Sequence, residues 1–171
     1  CPRDVAGQYL RVIGPRIRRA TLAAVANLLA ENGEVLFYSR RPEAVEIINT
    51  ERVNNGQSIH PNIRATCDMQ ELTDKCYLIF PSVSSDGFRQ VMQNMAPYLR
   101  PDHMMIHCTK GFDIKLEKDK TILDKDVLLK PADIYTMSKV ILEETCVKRV
   151  GCMSGPNLAR EIANLQPAAT V

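Results

Sequence analysis

The order of elements along the chain predicts an α/β domain built on a doubly wound, mostly parallel sheet. Three observations carry the prediction. Short apolar runs recur at 9–13, 34–38, 76–83, 104–108 and 147–153, as strands buried on both faces require. Segments with helical periodicity lie between successive runs, the pattern that right-handed crossovers over a parallel sheet produce. The 171 residues are enough for one such domain, with a core that needs no disulfide staples. Ligands of these sheets bind beyond the carboxyl ends of the strands. Chemistry is therefore expected in the turns after Ile13, Tyr38, Val83, Cys108 and Met153.

Tyr9–Ile13 (YLRVI) is the first strand, ended by Gly14. Ile17, Ala20, Ala24 and Leu28, with Val25 and Leu29 beside them, return at helix spacing. They predict a helix over 17–32 that Asn32-Gly33 closes. Glu34–Tyr38 is the second strand. Pro42 opens a helix at its first turn, running to Thr50. Residues 51–61 contain Asn54-Asn55-Gly56 and read as a loop, followed by a short strand, Ile63–Thr66. Asp68 caps a short helix through Leu72. Cys76–Val83 is a strand around Tyr77-Leu78-Ile79-Phe80. Ser85 and Asp86 open a helix in which Phe88, Val91, Met92, Met95 and Leu99 share a face, and Pro101 ends it. Met104–Cys108 is the next strand. Lys115–Lys130 alternates Lys with Asp and reads as a solvated excursion with a small hairpin around 122–129. A helix is expected over Asp133–Glu144, with Ile134, Met137, Val140 and Ile141 inward, then a strand over Val147–Met153. A helix over Leu158–Leu165 and a strand starting at Ala168 complete the pattern.

Composition narrows the function. Lys plus Arg is 22 against 20 for Asp plus Glu, a net charge of +2. A general nucleic-acid binder would be strongly basic, so none is expected as a partner, whereas a local basic patch for one anion remains compatible. No apolar run approaches the ~18 residues of a membrane span, and the N-terminus does not read as a signal peptide. The cysteines Cys1, Cys67, Cys76, Cys108, Cys146 and Cys152 form no C-x-x-C pair. They read as free thiols in a reducing cytoplasm rather than metal ligands. His60, His103 and His107 have no obvious partner for a metal or nucleophile role, and His107 is expected in the core. The chain opens at Cys1 without Met and ends in the apolar Ala168–Val171, so a piece of a longer protein is expected.

The first turn, Gly14-Pro15-Arg16-Ile17-Arg18-Arg19, has the strand–glycine–helix layout of a dinucleotide-binding turn. G-x-G-x-x-G would need glycine at 16 and 19, and both are arginine. The helix N-terminus still offers N–H groups to phosphate, with three guanidiniums nearby; the bland alternative is a solvated loop. In the second turn, Ser39-Arg40-Arg41-Pro42, no acid stands where ribose hydroxyls would be read. Two guanidiniums stand there instead, suited to a 2′-phosphate or else simply exposed. Val83-Ser84-Ser85-Asp86 leaves room for a flat ring, and helix capping explains it equally well. His107-Cys108-Thr109-Lys110-Gly111-Phe112 puts a lysine, held by threonine and glycine, at the end of a buried strand. Its ammonium would bind a phosphate or polarise a carbonyl. Ser154-Gly155-Pro156-Asn157 turns into a helix whose N–H groups can meet an anion.

Taken in order, these turns resemble the N-terminal domain of cytoplasmic NAD(P)-dependent glycerol-3-phosphate dehydrogenase. The segments that carry the resemblance are LLAENGEVLFYSRRPEAVEIIN (Leu28–Asn49), LIFPSVSSDGFRQVM (Leu78–Met92), TKGF (Thr109–Phe112) and SGPNLAREIA (Ser154–Ala163). The resemblance implies a Rossmann-type fold across 1–171, with an all-helical C-terminal catalytic half beyond this chain. It implies NADP or NAD as cofactor, contacted by Gly14, Arg16, Ile17, Arg18, Arg40, Arg41, Val83, Lys110 and Ala159. Lys110 would be the catalytic candidate here and would line the substrate side with Gly155 and Asn157; no metal is implied. The family's principal catalytic lysine lies in the helical half, so this chain alone is expected to be inactive. Three departures stand out: the glycines lost at 16 and 19, where the family also carries an aromatic residue near 18; a 52–61 loop shorter than the family's and without its tyrosine; and an elaborated 115–130 stretch.

The activity so implied interconverts dihydroxyacetone phosphate and sn-glycerol 3-phosphate for glycerolipid synthesis, by a homodimer when full length. The degenerate glycine turn keeps a rival in view, a non-catalytic nucleotide-binding or regulatory module on the same scaffold, since fold does not fix function. A third reading keeps the enzyme class and changes the substrate to another small hydroxy acid or alcohol.

Overall fold

The computed structural model describes residues 10–13, 19–54, 56–116, 128–155 and 162. Six strands form one parallel sheet: β1 (Leu10–Ile13), β2 (Val35–Tyr38), β5 (Ile63–Thr66), β6 (Leu78–Pro81), β7 (Met104–His107) and β10 (Arg149–Cys152). Their spatial order is β10-β7-β6-β1-β2-β5. The chain starts in the middle at β1, winds outward through β2 to β5, returns to β6 beside β1, and winds the other way through β7 to β10. That reversal between β1 and β6 is the topological switch point of a doubly wound sheet, and β5 and β10 are its edges among the described residues.

Residues alternate between two cores, as the pleat demands. Val35, Phe37, Ile63, Ala65 and Phe80 pack on one face with Ala23, Ala26 and Ala30 of α1 (Arg19–Ala30) and Ile48 of α2 (Pro42–Thr50). Tyr38, Ile79 and Met105 pack on the other. There they meet Leu72 of α3 (Met69–Lys75), Phe88, Met92 and Met95 of α4 (Ser85–Met95), and Met137, Val140 and Ile141 of α5 (Met137–Glu144). Register pairs stay on one face: Val35 opposes Ile63, and Phe37 opposes Ala65.

Most expected elements are present, with differences that have physical reasons. On α1 the expected Ala24 and Val25 are buried, but Ala23, Ala26 and Ala30 are the fully buried residues and Leu28 is 42% exposed; small side chains let the helix lie close on the sheet. The 51–61 segment is the expected loop, pinned by its own hydrogen bonds. It carries a small hairpin, β3 (Val53–Asn54) against β4 (Gln57–Ser58), with Gly56 at φ +79°. Asn27 Nδ2 donates to the Ser58 carbonyl at 2.7 Å, and Arg52 donates to the His60 and Ile63 carbonyls. The α3 helix runs three residues past Leu72, and Asp68 Oδ1 caps it by accepting from the Gln70 and Glu71 amides.

The α-helix does not reach back to 133: Asp133 closes a 3-10 turn (Pro131–Asp133), and 134–136 are extended. β8 (Phe112–Ile114) and β9 (Ile134–Thr136) form an antiparallel ribbon apart from the main sheet. Ile134-Tyr135-Thr136 suits a strand, and Thr136 then caps α5 through its hydroxyl, which accepts from the Lys139 amide. Ile134, expected inward on a helix, is 38% exposed. Of the hairpin expected around 122–129, only Leu128 and Leu129 are described, both exposed and outside any strand; the rest of it, the helix over 158–165 apart from Ile162, and the strand starting at Ala168 lie outside the described residues.

Candidate functional site

Because the six described strands of the sheet all run parallel, the turns after them emerge along a single edge. Across that crest the order is Gly155 after β10, Lys110 after β7, Val83 after β6, and Arg40 and Arg41 after β2. From β7 to β2 there are three inter-strand steps, about 14 Å at ~4.8 Å each. The crest is wide enough for a dinucleotide laid across the switch point.

Three of these turns are tied together. The Cys108 amide donates to the Pro81 carbonyl at 3.0 Å, and the Thr109 hydroxyl to the Val83 carbonyl at 2.6 Å. The Met153 amide donates to the His107 carbonyl at 2.9 Å. Lys110 Nζ donates to the Gly155 carbonyl at 2.7 Å. Lys110 itself is exposed. Its turn closes on α4 through Gly111, at φ +124°, where a Cβ would come within 3.2 Å of Ser85 Cβ. Glycine is needed there for both conformation and space.

The second turn is basic and open. Arg40 and Arg41 are exposed, and neither makes an ion pair among the described residues. The nearby acid Asp68 is committed to the α3 cap. Burial pushes the Tyr38 hydroxyl pKa up, and the Arg40 charge pulls it the other way.

Beside Lys110, His107 is buried, with Nε2 2.9 Å from Ser138 Oγ and its ring edge-on to Phe88. Burial lowers its pKa, and the Thr109 backbone acts against that shift. It is the core histidine expected of it. The Cys108 thiol is pushed up to about 11, chiefly by burial and then by neighbouring Cys152, so it is no thiolate nucleophile. Cys67, Cys76, Cys108, Cys146 and Cys152 are all unbridged, and no metal-binding cluster occurs among the described residues. Among those residues no helix is long and apolar enough to cross a membrane.

Of the residues singled out from sequence, the structure describes Arg40, Arg41, Val83, Lys110 and Gly155, all on the crest. Gly14, Arg16, Ile17, Arg18, Asn157 and Ala159 lie outside the described residues. Sequence reasoning passed over Arg89, Asp113 and Glu144, which meet just behind the Lys110 turn. Separated by 24 and 55 positions, they offer no spacing signal. A cavity of about 360 Å³ lined by Ala24, Asn27, Leu28, Glu31, Gln57, Ser58 and Ile162 lies against α1 and β4, away from the crest.

A β1–β6 switch point, paired halves of opposite winding and a crest of anion-ready turns define a Rossmann-type nucleotide-binding domain. The comparisons take this further. Residues 23–171 match the family model for the N-terminus of NAD-dependent glycerol-3-phosphate dehydrogenase. The chain belongs to that family. It is 36% identical over 154 residues to glycerol-3-phosphate dehydrogenase [NAD(P)+] of Pseudomonas aeruginosa (strain LESB58), covering 86% of this chain and 40% of that protein. The Pseudomonas fluorescens (strain Pf0-1) protein of the same name is 38% identical over 154 residues, with 86% of this chain and 38% of the relative covered. The chain thus spans about 40% of the length of the curated relatives it matches. Among solved structures, Plasmodium falciparum glycerol-3-phosphate dehydrogenase superposes with a TM-score of 0.75 at 19% identity, covering 96% of this chain and 45% of that one. The Coxiella burnetii enzyme gives 0.72 at 22% identity, with 95% and 45% covered. At these identities the structural likeness establishes the fold.

Proposed function

We propose that this chain is the cofactor-binding half of an enzyme that moves a hydride between NAD(P)H and dihydroxyacetone phosphate, forming sn-glycerol 3-phosphate for glycerolipid synthesis. The observation that carries the reading is the Lys110 Nζ–Gly155 carbonyl contact. It brings the Lys110 turn and Gly155 to one point at the ends of β7 and β10. The family match and the names of the curated relatives favour this reading over a non-catalytic module.

The residues present fit a dinucleotide. The crest spans the switch point, and Arg40 stands exposed, with no carboxylate partner among the described residues, where the adenosine end would lie. A guanidinium there suits the 2′-phosphate of NADP, with Arg41 beside it. Val83 lines the middle of the crest. Gly14, Arg16, Ile17, Arg18 and Ala159 complete the proposed cofactor set, as Gly155 and Asn157 complete the substrate side.

Bound nicotinamide supplies the hydride; the chain supplies position and charge. Lys110 has three N–H donors, of which one goes to Gly155. Two remain for oxygens of an anionic substrate. An ammonium aimed at the carbonyl oxygen favours the alkoxide as charge develops there. The full protein is proposed to add a helical C-terminal domain, to dimerise, and to work in the cytoplasm on a small phosphorylated substrate, without nucleic acid as a partner.

The test is steady-state NADPH oxidation by the full-length protein with dihydroxyacetone phosphate. Lys110→Ala should lower kcat/KM by on the order of 100-fold or more while NADPH still binds. Undiminished turnover in that variant would refute the assignment.

A further inference from the structure

Behind the Lys110 turn, a single guanidinium gathers both strands of the off-sheet ribbon and the end of a helix. We propose that Arg89 is a positioning residue for Lys110: it clamps the β8–β9 ribbon onto α4 and α5 and so fixes where the Lys110 ammonium stands. The inference rests on the reading of the crest given above.

Lys110 lies between two anchors. Upstream, Thr109 is held by the Val83 carbonyl. Downstream, the chain passes through Gly111 directly into β8, which pairs only with β9 among the described residues. An isolated two-stranded ribbon is marginal in water, so something must hold it to the body. Its apolar side chains contribute little: Phe112 is 63% exposed and Ile134 is 38% exposed. Tyr135 packs against the core, and its ring lies 5.1 Å from the Arg89 guanidinium carbon.

Lys139 Nζ of α5 lies 3.8 Å from the Tyr135 ring centroid, and Lys115 Nζ pairs with Glu143 Oε1 at 3.0 Å; Arg89 reaches both strands and α5 at once. Its Nε donates to Asp113 Oδ2 at 2.8 Å, with NH2 2.7 Å from the same oxygen. NH1 donates to Glu143 Oε2 at 2.7 Å and also to Glu144. Asp113 and Tyr135 are register partners across the ribbon, so one guanidinium grips both strands at the same rung. Glu143 and Glu144 tie the same group to the end of α5, and Gln93 Nε2 adds a hydrogen bond to Glu144 at 3.0 Å. The side chains of Arg89, Asp113 and Glu144 are only 19%, 17% and 17% exposed. Pairs so shielded are stiffer than exposed ion pairs. Asp113 is three residues from Lys110, so releasing it frees the downstream side of the turn.

The test compares Arg89→Met, Lys110→Met and the double variant in the full-length protein. Arg89→Met should lower kcat/KM with NADPH and dihydroxyacetone phosphate by on the order of 10- to 100-fold, mainly through kcat. In the Lys110→Met background the same change should cost less than about 3-fold, because the group it positions is gone. An equal loss in both backgrounds, or none in the first, overturns the proposal. Asp113→Asn keeps shape and guards against misfolding; it should show the same non-additivity with Lys110→Met, and additive losses there count against the clamp. A second readout needs no turnover: reductive methylation of Lys110, followed by peptide mass spectrometry. Lys110 should label at least about 3-fold faster in Arg89→Met as its hold on Gly155 loosens, with Lys75 on α3 as the unchanged reference. An unaltered Lys110 rate overturns the clamp. Absence of NADPH oxidation in the wild type would sink the dehydrogenase reading and leave the labelling comparison to decide the clamp.

Discussion

Arg40 is exposed just past β2 with no carboxylate partner among the described residues. On the proposed function, Arg40→Ala weakens NADPH binding by about 10- to 100-fold, as loss of one or two charge-assisted phosphate contacts would. NADH binding changes by less than about 3-fold, since it lacks the phosphate. Fluorescence titration of both cofactors at fixed salt checks this, and parallel weakening of the two would refute the 2′-phosphate role. At this scale the sequence was informative wherever a residue's neighbours in space are also its neighbours in the chain. Lys110 beside Thr109 and Gly111 was legible for that reason. Arg89 was not, because its partners come from β8 and the end of α5, and a lone arginine on an amphipathic helix reads as solvated surface.

Among the elements, α3 shows how much one cap can carry. It has seven residues, and Asp68 Oδ1 accepts from both the Gln70 and Glu71 amides. So short a helix has little intrinsic stability, so Asp68→Ala should cost about 1 kcal/mol. Urea denaturation measures it, and Asp68→Asn should recover most of the loss; equal destabilisation by both would point to charge rather than capping. Helices with local start signals, such as Pro42 for α2 and Asp68 for α3, were placed well from sequence. The ribbon was not. Its strands are three residues each and 19 residues apart from Ile114 to Ile134, so neither shows periodicity, and Ile134 was absorbed into the following helical pattern.

For the molecule as a whole, the parallel class was readable because near-continuous apolar strands alternate with helices. The lateral order β10-β7-β6-β1-β2-β5 was not, because an apolar run carries little information about which neighbour it pairs with. The same burial sets a pH response. His107 is 4% exposed, and desolvation lowers its pKa from 6.5. The unfolded chain therefore takes up that proton at higher pH than the folded one, and stability falls as pH drops below about 6.5. Denaturation at pH 7.5 and 5.5 should show this loss, and His107→Gln should flatten it. An unchanged pH slope in the variant would mean that other groups set the response.

The ribbon has one more consequence. Because Ile114 and Ile134 stand opposite each other, the polypeptide entering and leaving them does so at a shared neck. Lengthening what hangs from that neck raises the closure penalty by only about 0.6 kcal/mol for each doubling. The domain can thus accept foreign sequence between these two isoleucines, such as an epitope, a reporter or a lineage-specific insert, while the crest on its other side keeps its shape.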